Sequence, residues 1–195
     1  MSPLTQLVAR QGYRIAGRMG GEATLVAPFG ALQFGADLRM DSLALNDYAL
    51  GAVGFRSAWD RPRRWVRFEA STPQGETPVR GVYDSGGKRY RVDFDFPRFD
   101  MCLLEPLLQG VLEKTTGTAR TKLVMTGGPE GGPVLNGTID VERYEATVAY
   151  TRARYRLAGP VTVTGNRFEL PPVPLSDGDG GVGTISGWFD SRSFL

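Results

Sequence analysis

Asp93 and Asp95 stand two residues apart in Tyr90-Arg-Val-Asp-Phe-Asp-Phe96, so on an extended strand both carboxylates project to one side. Such a pair can serve as acid and base in glycoside hydrolysis. These two alternate with Val92 and Phe94 and have Arg91 and Arg98 nearby, so a solvated outer face is the simpler reading. Gly178-Asp-Gly-Gly-Val-Gly183 fits G-x-G-x-x-G literally, but a dinucleotide site needs a helix after it and Thr184 to Phe189 is strand-like. We expect a β-turn there. Asp177 and Asp179 lack the spaced oxygen ligands and bidentate Glu of a calcium loop, so no metal site is expected. Four Arg (61, 63, 64 and 67) with Trp59 and Trp65 could hold phosphates, stack on bases or meet lipid headgroups. An exposed hairpin with Arg packed on Trp is the plainer alternative. Asn136-Gly-Thr138 is both a glycosylation sequon and a turn signal.

The absence of His among the 195 residues removes Ser-His-Asp triads, His-bearing zinc sites and imidazole proton shuttles together. Cys102 is the lone cysteine and sits beside Leu103 and Leu104, which suits a small buried residue better than a nucleophile. We expect no enzymatic activity, no cofactor and, from the near-neutral net charge of +2, no nucleic-acid partner. The first residues, MSPLTQLVARQGYRIAG, lack the apolar core of a signal peptide, and no apolar run approaches the ~18 residues of a membrane span.

The elements that must position these residues are mostly strands. The 26 Gly and 13 Pro, between short alternating apolar runs, predict an all-β architecture. In the amino-terminal half, strands are expected at 22–27, 31–40, 48–59, 64–70, 79–83 and 90–96, the last two joined by the turn Asp84-Ser-Gly-Gly87. Tyr90, Val92, Phe94 and Phe96 point one way, and Arg91, Asp93 and Asp95 the other. From 137 to 194 the apolar pairs Ile139 and Val141, Val148 and Tyr150, Tyr155 and Leu157, Val161 and Val163, and Phe168 and Leu170 each put two side chains on one side of a strand. Two short helices are expected, one over Ser2 to Gln11 and one over Asp100 to Lys114, where leucines recur at i, i+3 and i+4. A loose repeat joins the halves. In each, a leucine-bearing helix precedes a glycine-led strand, beginning at Gly21 in one and Gly117 in the other.

The carboxy-terminal half resembles the TamB family of translocation and assembly module proteins and their AsmA-like relatives, the DUF490-type region. The features that carry this are the helix before Gly117, Pro133-Val-Leu-Asn-Gly-Thr-Ile-Asp-Val141, the Tyr150 to Tyr155 segment, and Leu175-Ser-Asp177 followed by Gly183-Thr-Ile-Ser-Gly-Trp-Phe189. In the first half, Asn46 to Gly51 and Gly81 to Asp84 look like pieces of a preceding unit, giving two repeat units, 1–98 and 99–195. The resemblance implies an elongated, curled β-sheet, a β-taco solenoid with an apolar groove. It also implies a non-enzymatic role in moving phospholipid between inner and outer membranes, in the periplasm, as part of an inner-membrane-anchored protein. The partners implied are phospholipid acyl chains and an outer-membrane barrel of the BamA/TamA kind. The expected groove residues are Val92, Phe94, Phe96, Ile139, Val141, Val148, Tyr150, Tyr155, Leu157, Val161, Val163, Phe168 and Leu170. The family's members are long and membrane-anchored, so this chain reads as a fragment or a short paralogue. An alternative is a scaffold that assists outer-membrane protein assembly by accepting strands at its sheet edges. Asp190 stands where relatives often place His.

Overall fold

A computed structural model describes residues 15–26, 33–45, 48–108 and 111–191. Within them lie eleven strands: β1 (Ile15–Val26), β2 (Gln33–Leu45), β3 (Tyr48–Asp60), β4 (Trp65–Ser71), β5 (Val79–Asp84), β6 (Arg89–Asp100), β7 (Leu112–Gly128), β8 (Gly131–Val148), β9 (Arg154–Thr164), β10 (Arg167–Asp177) and β11 (Val182–Asp190). Each strand hydrogen-bonds to the next in chain order, and β1 and β11 are the two ends of that order. The all-β expectation is therefore met. Short connections impose this arrangement, since a chain that turns back within a few residues can only pair antiparallel with itself.

The expected helix at Ser2 to Gln11 lies outside the described residues. The second, expected over Asp100 to Lys114, is instead a 3₁₀ helix at Met101–Leu108, and Leu112 already opens β7. Pro106 has no N–H to offer an α-helical hydrogen bond, while Glu105 is held by β7, accepting from Thr115 N at 3.3 Å and Thr115 Oγ1 at 3.0 Å. Pairing with a long neighbouring strand outweighs the leucine periodicity that predicted a helix.

The described residues group into two compact units. One holds residues within Tyr13–Asp95 and Val124–Val134, the other residues within Phe96–Leu123 and Leu135–Leu195. In the first unit the register places Phe55, Ser57 and Trp59 opposite Ala70, Phe68 and Val66, and these in turn opposite Val79, Gly81 and Tyr83. Those pair with Phe94, Val92 and Tyr90, so one face is apolar from strand to strand. The Phe68 ring lies where a side chain on Gly81 would be, and the Tyr90 ring does the same over Gly127. Large aromatic side chains thereby cover stretches of sheet that carry no side chain of their own.

In the second unit a cluster of Met101, Ala119 and Val141 is buried, with Phe99, Ile139, Tyr144, Leu157 and Val161 packed against it. The side of β7 that meets this cluster carries only Thr115, Gly117, Ala119 and Thr121, small enough for Met101 to lie close.

Mid-strand glycines let neighbouring backbones close up. Gly21, Gly117 and Gly137 have φ of 130°, 133° and 140°. A Cβ on any of them would strike the adjoining strand's backbone, at the carbonyl oxygens of Asp37, Arg143 and Lys122 respectively. Gly21 and Gly117, the two glycines that lead the repeated strands of the sequence, share this conformation. Replacing Gly117 with Ala should lower stability by about 2 kcal/mol or more, from backbone strain plus displacement of β8. Gly183→Ala, where nothing lies within 4 Å of the new methyl group, should be neutral or slightly stabilising. Urea denaturation of the two variants distinguishes them, and an equal effect would show that the close approach at Gly117 is unimportant.

Candidate functional site

The second unit presents the larger share of the expected site residues. Ile139 and Val141 on β8 face Val161 and Gly159 on β9, and farther along Tyr144 and Ala146 face Leu157 and Tyr155. Val163 of β9 then faces Phe168 of β10, which is opposite Phe189 of β11 and stacks on it with centroids 4.6 Å apart. Exposure follows the alternation. Along β9, Tyr155, Leu157 and Val161 are half-buried and Val163 is buried, while Arg154, Arg156, Thr162 and Thr164 are exposed. Val148 and Leu170 are likewise half-buried. Nine sequence-derived positions (139, 141, 148, 155, 157, 161, 163, 168 and 170) thus fall on strands whose paired residues make an apolar face. Tyr150 does not join them: β8 ends at Val148, and Tyr150 lies in the following turn at 95% exposure.

Val92 and Phe94 belong to the apolar face of the first unit, with Val92 buried and Phe94 half-buried. Phe96 packs edge-on against Phe99 at 5.9 Å. At Pro97 the alternation slips by one residue, so Phe99 and Met101 follow Phe96 on the covered side.

Such slips hid several residues from sequence reasoning. The β8–β9 register shifts between Val141 and Tyr144, moving the inward positions from odd to even numbers, and Tyr144 and Ala146 take the covered side. In β10 the register shifts between Leu170 and Val173, across Pro171 and Pro172, so that Val173 and Leu175 replace the even-numbered series. A bulge of this kind exchanges the two faces of a strand. The paired prolines were the available signal. Leu38, Phe55, Val66 and Phe68 were legible as alternating residues, but only the register shows that they continue the face of Tyr90, Val92 and Phe94.

The opposite faces are charged. In the first unit Glu22, Asp37, Arg56, Glu69, Arg80 and Asp93 stand opposite one another in sequence across β1 to β6. These six line an open hollow of 710 Å³. Its signs alternate after the first pair, with Arg56 and Asp37 3.3 Å apart, so it presents no single-sign field. In the second unit Glu145 accepts from both Arg154 and Arg156, which, with the Arg156 hydrogen bond first, hold its carboxyl below the usual range. Arg167 lies 4.1 Å over the Trp188 ring.

Several residues with other potential chemistry have structural roles, while the buried Tyr144 hydroxyl has no hydrogen-bond partner among the described residues. Asp93 pairs with Arg91 at 2.6 Å. Asp177 accepts from Gly181 N at 2.6 Å and Asp179 N at 3.0 Å, and the glycine motif forms the turn into strand β11. Burial, then the Asp100 carboxylate, pushes the Cys102 thiol up. The Tyr144 hydroxyl is pushed up to about 12, first by burial and then by Glu105. Asn136 accepts from Gly165 N at 2.9 Å. Buried Asn166 joins three segments: its Oδ1 accepts from Leu135 N at 2.6 Å, and its carbonyl accepts from Ser191 N at 3.0 Å.

The Arg-Trp segment forms the β3–β4 turn. Asp60 accepts from Arg63 N at 3.2 Å, from the Arg63 guanidinium at 3.1 Å and from Arg67 at 3.0 Å. Comparison with known proteins yields no matching family profile, no matching curated protein and no matching solved structure.

The Arg63 backbone bond, followed by the guanidinium groups of Arg63 and Arg67, keeps the Asp60 carboxyl below the ordinary range despite some burial. Its contribution to the turn is complete above the unfolded value of about 3.9 and disappears as pH falls through the lower folded value. An NMR titration should place the Asp60 carboxyl midpoint below about 3.9, and Arg63→Ala should raise it. A midpoint at or above that value in the intact protein would contradict this account.

Proposed function

We propose that this chain is a non-enzymatic segment of a TamB-like envelope protein, in which an apolar sheet face carries phospholipid acyl chains between inner and outer membranes. The observation that carries this reading is the apolar face of the second unit, which runs from β8 through β11 across the register shifts and is incompletely covered. Val141, Ala146, Val163 and Val173 are buried, whereas the larger Leu157, Phe168 and Leu170 stay partly accessible. Acyl chains against such a face would gain roughly 0.8 kcal/mol per buried CH₂, with no need of a specific polar contact. That accounts for a working surface without a catalytic motif.

In this reading residues 1–98 and 99–195 are two repeats of one β unit, supported by the shared backbone geometry of Gly21 and Gly117. The complete assembly is a curled, taco-shaped β solenoid in the periplasm, held to the inner membrane by the parent protein. An outer-membrane barrel of the BamA/TamA kind is its partner. Val92, Phe94 and Phe96 extend the lipid path on the amino-terminal side.

A second reading, strand acceptance by augmentation, is favoured by one specific feature. Edge strand β11 is exposed along its length from Val182 to Phe189, with Val182 at 88% and Trp188 at 62%. Natural edge strands are usually blunted by Lys, Pro or a bulge, and β11 contains neither Lys nor Pro.

Mass spectrometry of organic extracts from the purified protein should recover phospholipid. Val148→Arg with Phe168→Arg, checked to be folded, should lose it, while Arg154→Gln with Arg167→Gln should keep it. Equal loss from both pairs, or no lipid in the wild type, would overturn the acyl-chain reading. A charge on the outer side of β11 distinguishes the second reading. Ile185 itself faces Val173 on the apolar side, so the variant used is Thr184→Lys, on the outer side of the edge strand opposite Pro174. It should leave lipid recovery intact, and under augmentation it should abolish capture of an unfolded outer-membrane barrel protein.

A further inference from the structure

One end of the first unit gathers positive charge that the acyl-chain surface does not use. The β3–β4 turn carries Arg61, Arg63 and Arg64, and the β5–β6 turn carries Lys88 and runs into Arg89. The two turns are bonded together, with Ser85 N donating to the Arg64 carbonyl at 3.1 Å and Ser85 Oγ at 2.8 Å. All five cationic residues are exposed.

The local carboxylates do little to neutralise them. Asp60 is committed to Arg63 and Arg67, and Asp84 accepts from Gly86 N at 2.9 Å. Among the described residues, Arg61, Arg64, Lys88 and Arg89 form no ion pair. Five cations thus face two carboxylates, or three if Glu130 of the β7–β8 turn is counted, in a chain whose total charge is +2. Backbone geometry adds a second observation. Arg64 has φ 58° and Lys88 φ 51°, left-handed positions where Gly or Asn is normally favoured, so both cations are held at some conformational expense.

We propose that this pair of turns is a docking surface for an anionic phospholipid membrane, seating the end of the sheet at the headgroups. A flat lattice of phosphates matches four exposed cations, on two adjoining turns and the start of β6, that form no ion pair among the described residues and need no shaped pocket. Single-stranded nucleic acid fits less well. It requires an open aromatic face for base stacking, whereas the Arg63 guanidinium lies 5.9 Å over the Trp65 ring and Trp59 belongs to the apolar row with Val66. The surface is separate from the acyl-chain face and does not depend on lipid being carried there.

Co-sedimentation of the full chain with phosphatidylcholine vesicles, with and without phosphatidylglycerol, tests the assignment. Binding should require phosphatidylglycerol and weaken with added salt. The variant Arg61→Gln, Arg64→Asn, Lys88→Asn should lower the partition coefficient by about a hundredfold, near fivefold per charge. Asn suits the left-handed backbone at positions 64 and 88, so this variant should melt no lower than the wild type, which separates lost docking from lost folding. Arg120→Gln, Arg154→Gln, Arg167→Gln removes three cations elsewhere and should bind as the wild type does. The assignment falls if the wild type ignores phosphatidylglycerol or if both triple variants lose binding equally. It falls also if oligothymidylate, rather than vesicles, binds in a manner that the turn variant abolishes. The Val148→Arg, Phe168→Arg variant should retain vesicle docking, so failure of the acyl-chain reading and failure of this one give different patterns.

Discussion

The register of the antiparallel ladders governs nearly everything else in this protein. Pairing fixes which side chains stand opposite one another, and an error of one residue would bring every arginine and aspartate of a strand to the apolar side. In the first unit the pairing places Phe55, Phe68 and Val92 in apolar rows and, one position away, places Arg56, Glu69, Arg80 and Asp93 in a charged one. The apolar rows exclude water, while the charged rows keep the other side solvated and penalise a shifted alignment. Exposed pairs such as Arg56 with Asp37 contribute little to stability individually, and their greater effect is on which alignment is permitted.

Glycine makes that register compatible with close backbones. At Gly117 and Gly137 the adjoining strand occupies the volume of a side chain, so β7 and β8 are drawn together at points where no other residue fits. Where glycine instead leaves an uncovered stretch, as at Gly81 and Gly127, an aromatic ring from a neighbouring strand lies across it. The high glycine content therefore has two opposite uses, near approach of backbones and a seat for large rings.

In the acyl-chain reading proposed above, the two faces divide the labour. An apolar face of half-covered aliphatic and aromatic residues offers affinity without shape selectivity, since hydrophobic contact scales with area rather than direction. In the same proposal the charged side and the cationic turns set orientation and encounter. Asp60, Asp93 and Glu145 on the charged side are bound by arginines.

Much of the fold was legible before any coordinates. Alternation in Tyr90 to Phe96 and Arg154 to Val163 marked strands and their inward sides, because the two-residue period of a strand is a local property. The turn read at Asp84 to Gly87, found one residue on between Asp84 and Arg89, and the turn reading of Gly178 to Gly183 were legible for the same reason. What the sequence could not settle was where alternation slips. The shifts after Val141 and Leu170 exchange the faces, and they depend on how much strand a neighbour supplies. The same competition turned most of the leucine-rich segment after Asp100 into a 3₁₀ turn and the start of β7. Tyr150, placed inward by counting in twos, lies outside because β8 ends before it. Composition and local periodicity determined that this chain would form strands with one apolar side. Tertiary structure alone decided which residues share that side, because register is a property of two strands and neither strand contains it.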